Sequence, residues 1–125
     1  MTHDSTAPLL DVTRLAEAVR AFATERDWTQ FHSPKNLAMA LTGEVGELVE
    51  IFQWMTEEES RRAGDDPATA THVRQELADV LIYLVRLSDV LGVDLDAAVR
   101  DKLADNARRY PVETARGHNR KSTLR

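Results

Sequence analysis

Hydrophobic residues recur at every third or fourth position along most of the chain, which is the spacing of amphipathic α-helices. We therefore predict four long helices joined by short connections, because no run alternates between apolar and polar residues as a strand would. The second helix is expected to end near Met55, the third to run from about His72 to Leu91, and the fourth to reach about Arg109. The predicted fold class is all-α, with four long helices as its core.

Residues at the predicted helix ends favour these boundaries. Asp11 is a candidate cap for the first helix, and Ser33 before Pro34 combines a capping hydroxyl with proline at the first helical position. Further boundary signals are a Thr56–Glu59 capping box before a short helix, Gly92 after the third helix and Asp94 before the fourth.

The length of 125 residues suits one domain, and 42% hydrophobic residues supply a core for it. We expect a flexible N-terminal arm over residues 1–10, a helical domain over 11–112 and a basic C-terminal tail over 113–125. The chain contains no cysteine, which excludes disulfides and zinc–thiolate sites.

The acidic balance limits the kinds of partner. A formal net charge of −5 disfavours a polyanionic partner such as DNA or RNA. The N-terminus lacks the basic and apolar runs of a secretory signal, and no apolar segment approaches the roughly 20 residues that span a bilayer. We therefore expect a cytoplasmic protein that binds neither nucleic acid nor membrane.

Two glutamates stand among the apolar positions of the second helix. In the stretch LTGEVGELVEIFQW, Glu44 and Glu47 share one stripe with Leu48 and Ile51, at about 100° per residue. A carboxylate on a buried stripe is costly unless something compensates its charge. Glu50 falls on the opposite, solvent-facing side, where a glutamate needs no compensation.

The third helix repeats this arrangement, since Glu76 and Asp79 lie in line with Tyr83. If the two faces meet, four carboxylates converge and repel one another. Protonation would relieve the repulsion, and so would a hard cation; an all-oxygen set suits Mg²⁺, or Mn²⁺ as the alternative. The simpler interpretation is a solvated helix face paired with Lys or Arg. A di-iron bundle is disfavoured because it requires Glu-x-x-His on two helices.

The inner stripe of the fourth helix becomes polar and basic towards its end, at Lys102, Asn106 and Arg109. These side chains either extend outward from the core near a helix end, or form the cationic end of a site whose other end is the metal. A phosphate chain would bridge the two ends in the second case.

Aromatic side chains surround the second helix. Trp28 and Trp54 flank it, His32 lies in the loop before it, and Tyr83 follows Asp79 by one turn. Most aromatic residues belong to the core, but flat rings beside a phosphate-binding metal site also suggest stacking on a nucleobase.

Together these residues carry a family resemblance. GEVGELVEIFQW followed by QELADVLIYLVRL resembles the MazG-type nucleotide pyrophosphohydrolases, whose signature is ExxE on one helix and ExxD on the next. The longer stretches ERDWTQFHSPKNLAMALTGEVGELVEIFQW and KLADNARRYPV resemble the dCTP pyrophosphatases of this family. The resemblance extends over roughly residues 12–116.

The resemblance implies a four-helix all-α fold assembled as a homotetramer, with active sites that draw on more than one subunit. It implies Mg²⁺-dependent hydrolysis of a deoxynucleoside triphosphate, with dCTP or a 5-modified dCTP as the expected substrate, to the monophosphate and pyrophosphate. The residues it assigns are the metal ligands Glu44, Glu47, Glu76 and Asp79, the base and sugar pocket Trp28, His32, Trp54 and Tyr83, the nucleotide contacts Lys102 and Asn106, and the pocket rim Arg109 and Tyr110.

For the mechanism we expect water to attack the α-phosphorus. Glu47 is the first candidate for the general base, although the spacing alone does not distinguish it from Glu44. Lys102 would offset the negative charge of the phosphates. Val19 departs from the family pattern, because animal dCTP pyrophosphatases carry a pocket histidine there. The preference for one nucleobase therefore stays open. The alternatives are a nucleoside triphosphate pyrophosphatase of broader substrate specificity, or a helical bundle that binds nucleotide or metal without turnover.

Overall fold

The structure is a computed structural model that describes residues 7–124. Within that range the chain forms six α-helices and one 3-10 turn, Thr29–Phe31, which precedes the second helix. The helices are α1 (Thr13–Glu25), α2 (Pro34–Phe52), α3 (Glu57–Arg61), α4 (Ala70–Leu91), α5 (Leu95–Arg109) and α6 (Val112–Ala115). The predicted all-α class and the four long helices are confirmed.

None of the helices between residues 7 and 124 combines the length and the apolar composition that crossing a membrane requires.

The capping residues set most of the helix ends as predicted. The Ser33 hydroxyl accepts a hydrogen bond from the Asn36 N–H at 3.2 Å, and Pro34 occupies the first turn of α2. The Asp94 carboxylate accepts from the Ala97 N–H at 3.0 Å at the start of α5. These bonds satisfy backbone donors that have no partner inside the helix.

The capping box predicted for α3 is also present. The Thr56 hydroxyl accepts from the Glu59 N–H, and the Glu59 carboxylate accepts from the Thr56 N–H, each at 3.1 Å. At the other end of α4, Gly92 has φ +68°, a left-handed conformation that glycine adopts without steric penalty.

Two helix starts differ from the predictions. The position before α1 belongs to Val12 rather than Asp11, so the helix begins one residue later than expected. Helix α4 begins at Ala70 rather than His72, because the Thr69 hydroxyl donates to the Ala63 carbonyl at 2.7 Å and the Ala70 N–H bonds to Asp66 O at 2.8 Å. These contacts start the helix two residues earlier than the sequence pattern predicted.

The chain divides into two compact units. The first unit spans residues 12–93 and contains α1 to α4, with α4 packed against both α1 and α2. Leu37 of α2 and Val85 of α4 are its largest fully buried side chains. The α2–α4 pair is therefore the rigid support on which the acidic residues stand.

The second unit combines residues 7–11 with residues 94–124. Asp96 of α5 attaches the described part of the N-terminal arm, since its Oδ1 accepts from the Leu9 and Leu10 N–H groups at 2.7 and 2.9 Å. Arg100 donates to Asp96 Oδ2 at 3.0 Å and also to the Ala7 carbonyl. The remainder of the predicted arm, residues 1–6, lies outside the described residues.

The C-terminal segment of the second unit begins with the short helix α6 and then returns to the end of α5. Arg109 Nε donates to the Leu124 carbonyl at 3.1 Å, and the Tyr110 hydroxyl accepts from the Ser122 N–H at 3.1 Å. Much of the segment predicted as a basic tail therefore has defined hydrogen-bond partners.

Candidate active site

Three carboxylates from the two central helices of the first unit meet at one point. Glu44 and Glu47 are one turn apart on α2, and Glu76 lies on the facing helix α4. One carboxylate oxygen from each lies within 4.8 Å of the others. The packing of α2 against α4 thus brings together three of the four acids that the sequence singles out.

Two oxygens of this cluster are buried without a hydrogen-bond partner among the described residues, namely Oε2 of Glu44 and Oε2 of Glu76. Glu76 is only 7% exposed. A buried carboxylate oxygen without a donor or a counter-charge is costly and uncommon in folded proteins. The two oxygens are therefore available to a ligand that would complete the site.

The electrostatics of Glu44 lead to the same conclusion. Burial, and then the negative charges of Glu47, Asp79 and Glu76, together raise the pKa of its carboxyl group to about 7. Without a cation the cluster therefore retains a proton on Glu44 near neutral pH. A divalent cation would neutralise the same charge and engage the oxygens that have no partner.

The donor set fits a hard cation. All three groups are carboxylates, and the chain has no cysteine to compete for the metal. Asp79, the fourth predicted ligand, lies outside the set of three, but its charge acts on Glu44. The residues present can therefore hold a divalent cation.

His72 is a neighbour of the cluster that sequence reasoning missed. Its Nε2 lies 3.3 Å from Glu76 Oε1, so this oxygen has a partner whereas Oε2 does not. The positions differ by four residues, which puts both side chains on one face of α4. That spacing was a usable signal, but His72 was predicted only as the start of the helix.

The predicted pocket aromatics differ in their surroundings. Trp54, just after α2, is 89% exposed and is therefore not a core residue. Trp28 is 45% exposed and makes an edge-to-face contact with Phe22, with ring centroids 5.7 Å apart. Phe22 itself is 47% exposed and lies under the Arg26 guanidinium.

His32 has a specific buried partner. It follows the 3-10 turn, and its Nδ1 accepts a hydrogen bond of 3.0 Å from Arg86 Nε. Burial, and then the positive charge of Arg86, lower the pKa of the His32 ring. Sequence reasoning missed Arg86, although it continues the α4 stripe of Glu76, Asp79 and the half-buried Tyr83.

The four remaining predicted site residues belong to the second unit. Lys102 is exposed and pairs with Asp105 at 3.8 Å, and Asn106 is half-buried on the same helix. The Arg109 guanidinium carbon lies 6.0 Å from the Tyr110 ring centroid, and both residues hold the returning C-terminal segment. The availability of Arg109 and Tyr110 to a ligand therefore depends on that segment.

Comparisons with known proteins agree on one family. Residues 40–123 match the MazG-like family. Human (Homo sapiens) dCTP pyrophosphatase 1 is 53% identical over 102 residues, which are 82% of this chain and 60% of the relative. The Bos taurus dCTP pyrophosphatase 1 is 49% identical over 113 residues, or 90% and 66% of the two chains. The chain thus spans less than two thirds of the length of these curated relatives.

A solved structure gives the same relationship at the level of the fold. The crystal structure of a pyrophosphatase from Archaeoglobus fulgidus DSM 4304 superposes with a TM-score of 0.74 at 37% identity. The superposed region covers 89% of this chain and 99% of that chain.

Proposed function

The chain belongs to the MazG-like family, and on that premise we propose that it hydrolyses a deoxynucleoside triphosphate, dCTP or a 5-modified dCTP, to the monophosphate and pyrophosphate. The observation that carries the proposal is the cluster of Glu44, Glu47 and Glu76, with two buried oxygens that have no partner within residues 7–124. The named activity of the mammalian relatives supports the choice of substrate.

Mg²⁺, with Mn²⁺ as the alternative, is the cation we propose for this cluster. Glu44, Glu47 and Glu76 would hold it, and Asp79 would complete the set from the next turn of α4. When bound, the ion supplies positive charge against the phosphate oxygens and makes water in the site more acidic. An all-carboxylate site with at least one solvent-exposed ligand suits both roles.

The proposed reaction is a single displacement. A water oxygen attacks the α-phosphorus, the bond from that phosphorus to the bridging oxygen breaks, and pyrophosphate leaves. Glu47 takes the proton of the attacking water, because it is the exposed member of the cluster whereas Glu44 and Glu76 are partly or fully buried. Lys102 is the proposed cation against the phosphate chain.

We propose that Trp28, His32, Trp54 and Tyr83 receive the base and sugar. The high exposure of Trp54 and the half-exposed ring of Trp28 support this, since both leave aromatic surface for stacking. Asn106, Arg109 and Tyr110 are proposed as further nucleotide contacts. Val19, half-buried on α1, stands where the family pattern has a pocket histidine, so a broader triphosphate specificity is the alternative.

A homotetramer with shared active sites is the proposed assembly. Helices α2 and α4 each carry large apolar side chains that are exposed in the single chain. Exposed apolar surface is a feature of protein–protein interfaces. The residues are Met39, Val45 and Val49 on α2, and Leu77, Leu81, Leu84 and Leu91 on α4.

A turnover panel of all canonical and 5-modified nucleoside triphosphates with Mg²⁺ tests the activity and its specificity. We expect dCTP or a 5-modified dCTP to give the highest kcat/KM. Comparable kcat/KM values for most triphosphates would favour the broader enzyme, and tight binding without any cleavage would favour a non-catalytic bundle.

Hydrolysis in ¹⁸O water tests the bond that breaks. Label in dCMP is the expected result, and label only in pyrophosphate would contradict attack at the α-phosphorus. Light scattering tests the assembly, because an active monomer would contradict a shared site.

A further inference from the structure

Arg86 is a buried cation that the proposed reaction does not use. It is 4% exposed, on the α4 stripe that begins at Glu76. Two hydrogen bonds compensate its burial, since Nε donates to His32 Nδ1 at 3.0 Å and Nη1 donates to Asp89 Oδ2 at 3.2 Å. The planar guanidinium therefore bridges the loop that carries His32 and the last turns of α4.

The bond to Arg86 determines which ring nitrogen of His32 carries the proton. Arginine has only N–H donors and no acceptor, so His32 Nδ1 must be unprotonated to receive the bond. Burial of the ring and the positive charge of Arg86 both favour its neutral form. A neutral ring with unprotonated Nδ1 carries its proton on Nε2, which is thus an uncharged hydrogen-bond donor.

Asp89 and Arg20 hold the guanidinium in place. Arg20 donates to Asp89 through Nε at 2.9 Å and Nη2 at 2.6 Å, while Asp89 Oδ2 also accepts from Arg86. The carboxylate offsets the charge of Arg86 and limits its rotation. On the other side, the Asn36 amide donates to the Phe31 carbonyl at 3.1 Å and fixes the loop just before His32.

We propose that Arg86 is a positioning residue that presents His32 to the nucleotide as a neutral donor through Nε2–H. An uncharged donor matches an uncharged acceptor, which in the substrate is an oxygen of the base or the sugar rather than of the phosphates. The inference rests on the proposed function, in which His32 lines the base and sugar pocket. The inference adds Arg86 as a residue that affects recognition of the nucleotide without contacting it.

A double-mutant cycle on the full-length protein tests the role in recognition. Arg86→Met should raise the KM for dCTP about 3- to 10-fold, the effect of one lost hydrogen bond, while kcat changes less than about 2-fold. His32→Ala should raise KM at least as much, and the double variant no further than His32→Ala alone. Arg74→Met, the same substitution at an exposed position of α4, is the control and should leave KM unchanged.

Other outcomes of the cycle would overturn the proposal. An unchanged KM for Arg86→Met, with lower thermal stability, would make Arg86 purely structural. Independent effects that multiply in the double variant would show that Arg86 does not act through His32.

Nitrogen NMR of the ¹⁵N-histidine-labelled protein tests the tautomer independently of activity. The His32 signal, identified by its loss in His32→Ala, should show protonated Nε2 and unprotonated Nδ1 near neutral pH. Arg86→Met should give a mixture of tautomers, and Arg86→Lys, which keeps the charge but loses the planar fork, serves if the methionine variant does not fold. Protonated Nδ1 in the unchanged protein would overturn the proposal.

The two experiments separate the proposal from the proposed function. If the unchanged protein cleaves no nucleoside triphosphate, the proposed function fails. The NMR result then decides alone whether Arg86 sets the tautomer of His32.

Discussion

Two buried charged residues on one stripe of α4 have opposite surroundings. Glu76 and Arg86 are each less than a tenth exposed, and ten residues of helix separate them, about 15 Å. Arg86 has His32 and Asp89 as hydrogen-bond partners. Glu76 has His72 near one oxygen, and its other oxygen has no partner within residues 7–124.

The difference separates a buried charge that has hydrogen-bond partners in the protein from one that a cation could complete. Hydrogen bonds to a buried guanidinium fix neighbouring side chains in one arrangement. Leaving a buried carboxylate oxygen without a partner destabilises the ligand-free protein, and a cation that binds there reverses the effect. We therefore propose that Arg86 at one end of the stripe positions a pocket residue, and that Glu76 at the other end binds the cation.

Among substitutions at the two ends of the stripe, the largest expected effect is the loss of catalysis when Glu76 is replaced. Glu76→Gln removes one anionic ligand from the cluster, and it should lower kcat/KM for dCTP by at least about 100-fold, since even residues behind a metal ligand contribute 10- to 100-fold. Steady-state kinetics with Mg²⁺ measure it. Glu50→Gln, on the exposed side of α2, is the matched control and should keep full activity. Retention of more than half the activity by Glu76→Gln would show that the cluster is not the metal site.

The cation itself should stabilise the fold by a comparable amount. Mg²⁺ at a hundredfold excess over its Kd should raise the free energy of unfolding by about 2.7 kcal/mol, because it binds only the folded state. Urea unfolding at constant ionic strength measures this, with Na⁺ as the control ion. Glu44→Gln and Glu76→Gln should abolish the stabilisation, and its persistence in both variants would indicate that Mg²⁺ binds elsewhere.

Substitutions at the two ends of the stripe should have opposite effects on the metal-free protein. Arg86→Met breaks a satisfied buried network and should lower the free energy of unfolding by about 1–3 kcal/mol. Glu76→Gln removes a buried negative charge that lies beside two other carboxylates, and it should leave that free energy equal or higher. Urea unfolding with a chelator present measures both, and a Glu76→Gln variant as unstable as Arg86→Met would contradict the contrast.

The smallest expected effect is the pH dependence that Glu44 contributes, because its partial exposure lets water moderate the burial. Its pKa is about 7 in the folded protein against an ordinary value of 4.5, so the folded state binds more protons between these values. The free energy of unfolding of the metal-free protein should therefore fall as pH rises from about 4.5 through about 7. The difference between the unchanged protein and Glu44→Gln isolates this contribution. No pH dependence in that difference would refute the raised pKa.

Several parts of the fold were predictable because their causes are local. Ser33, the Thr56–Glu59 pair, Gly92 and Asp94 act on backbone groups within three or four residues, so the helix ends they set could be predicted from the sequence. The MazG-like resemblance was confirmed for the same reason, since its motifs are contiguous. The predicted start of α4 was wrong by two residues because the Thr69 hydroxyl donates to the carbonyl of Ala63, six residues earlier in the chain.

The candidate site was predictable in its composition and less so in its contacts. Helical spacing alone set Glu44 and Glu47 on one face, and Glu76 and Asp79 on another. The hydrogen bond between Arg86 and His32 joins residues 54 positions apart, and it escaped prediction. The roles of Trp28, Trp54 and Tyr83 stay predictions.

The sequence by itself determined the four long helices, most of their caps and the family, because these follow from periodicity, short-range hydrogen bonds and contiguous motifs. Only the tertiary structure decided that Glu76 keeps an oxygen without a partner within residues 7–124 while Arg86 donates to both His32 and Asp89. Both are charged residues on one helical stripe, and sequence spacing treats them alike. Their difference arises from packing, since α2 brings two further carboxylates to Glu76, whereas the loop before α2 brings the acceptor nitrogen of His32 to Arg86.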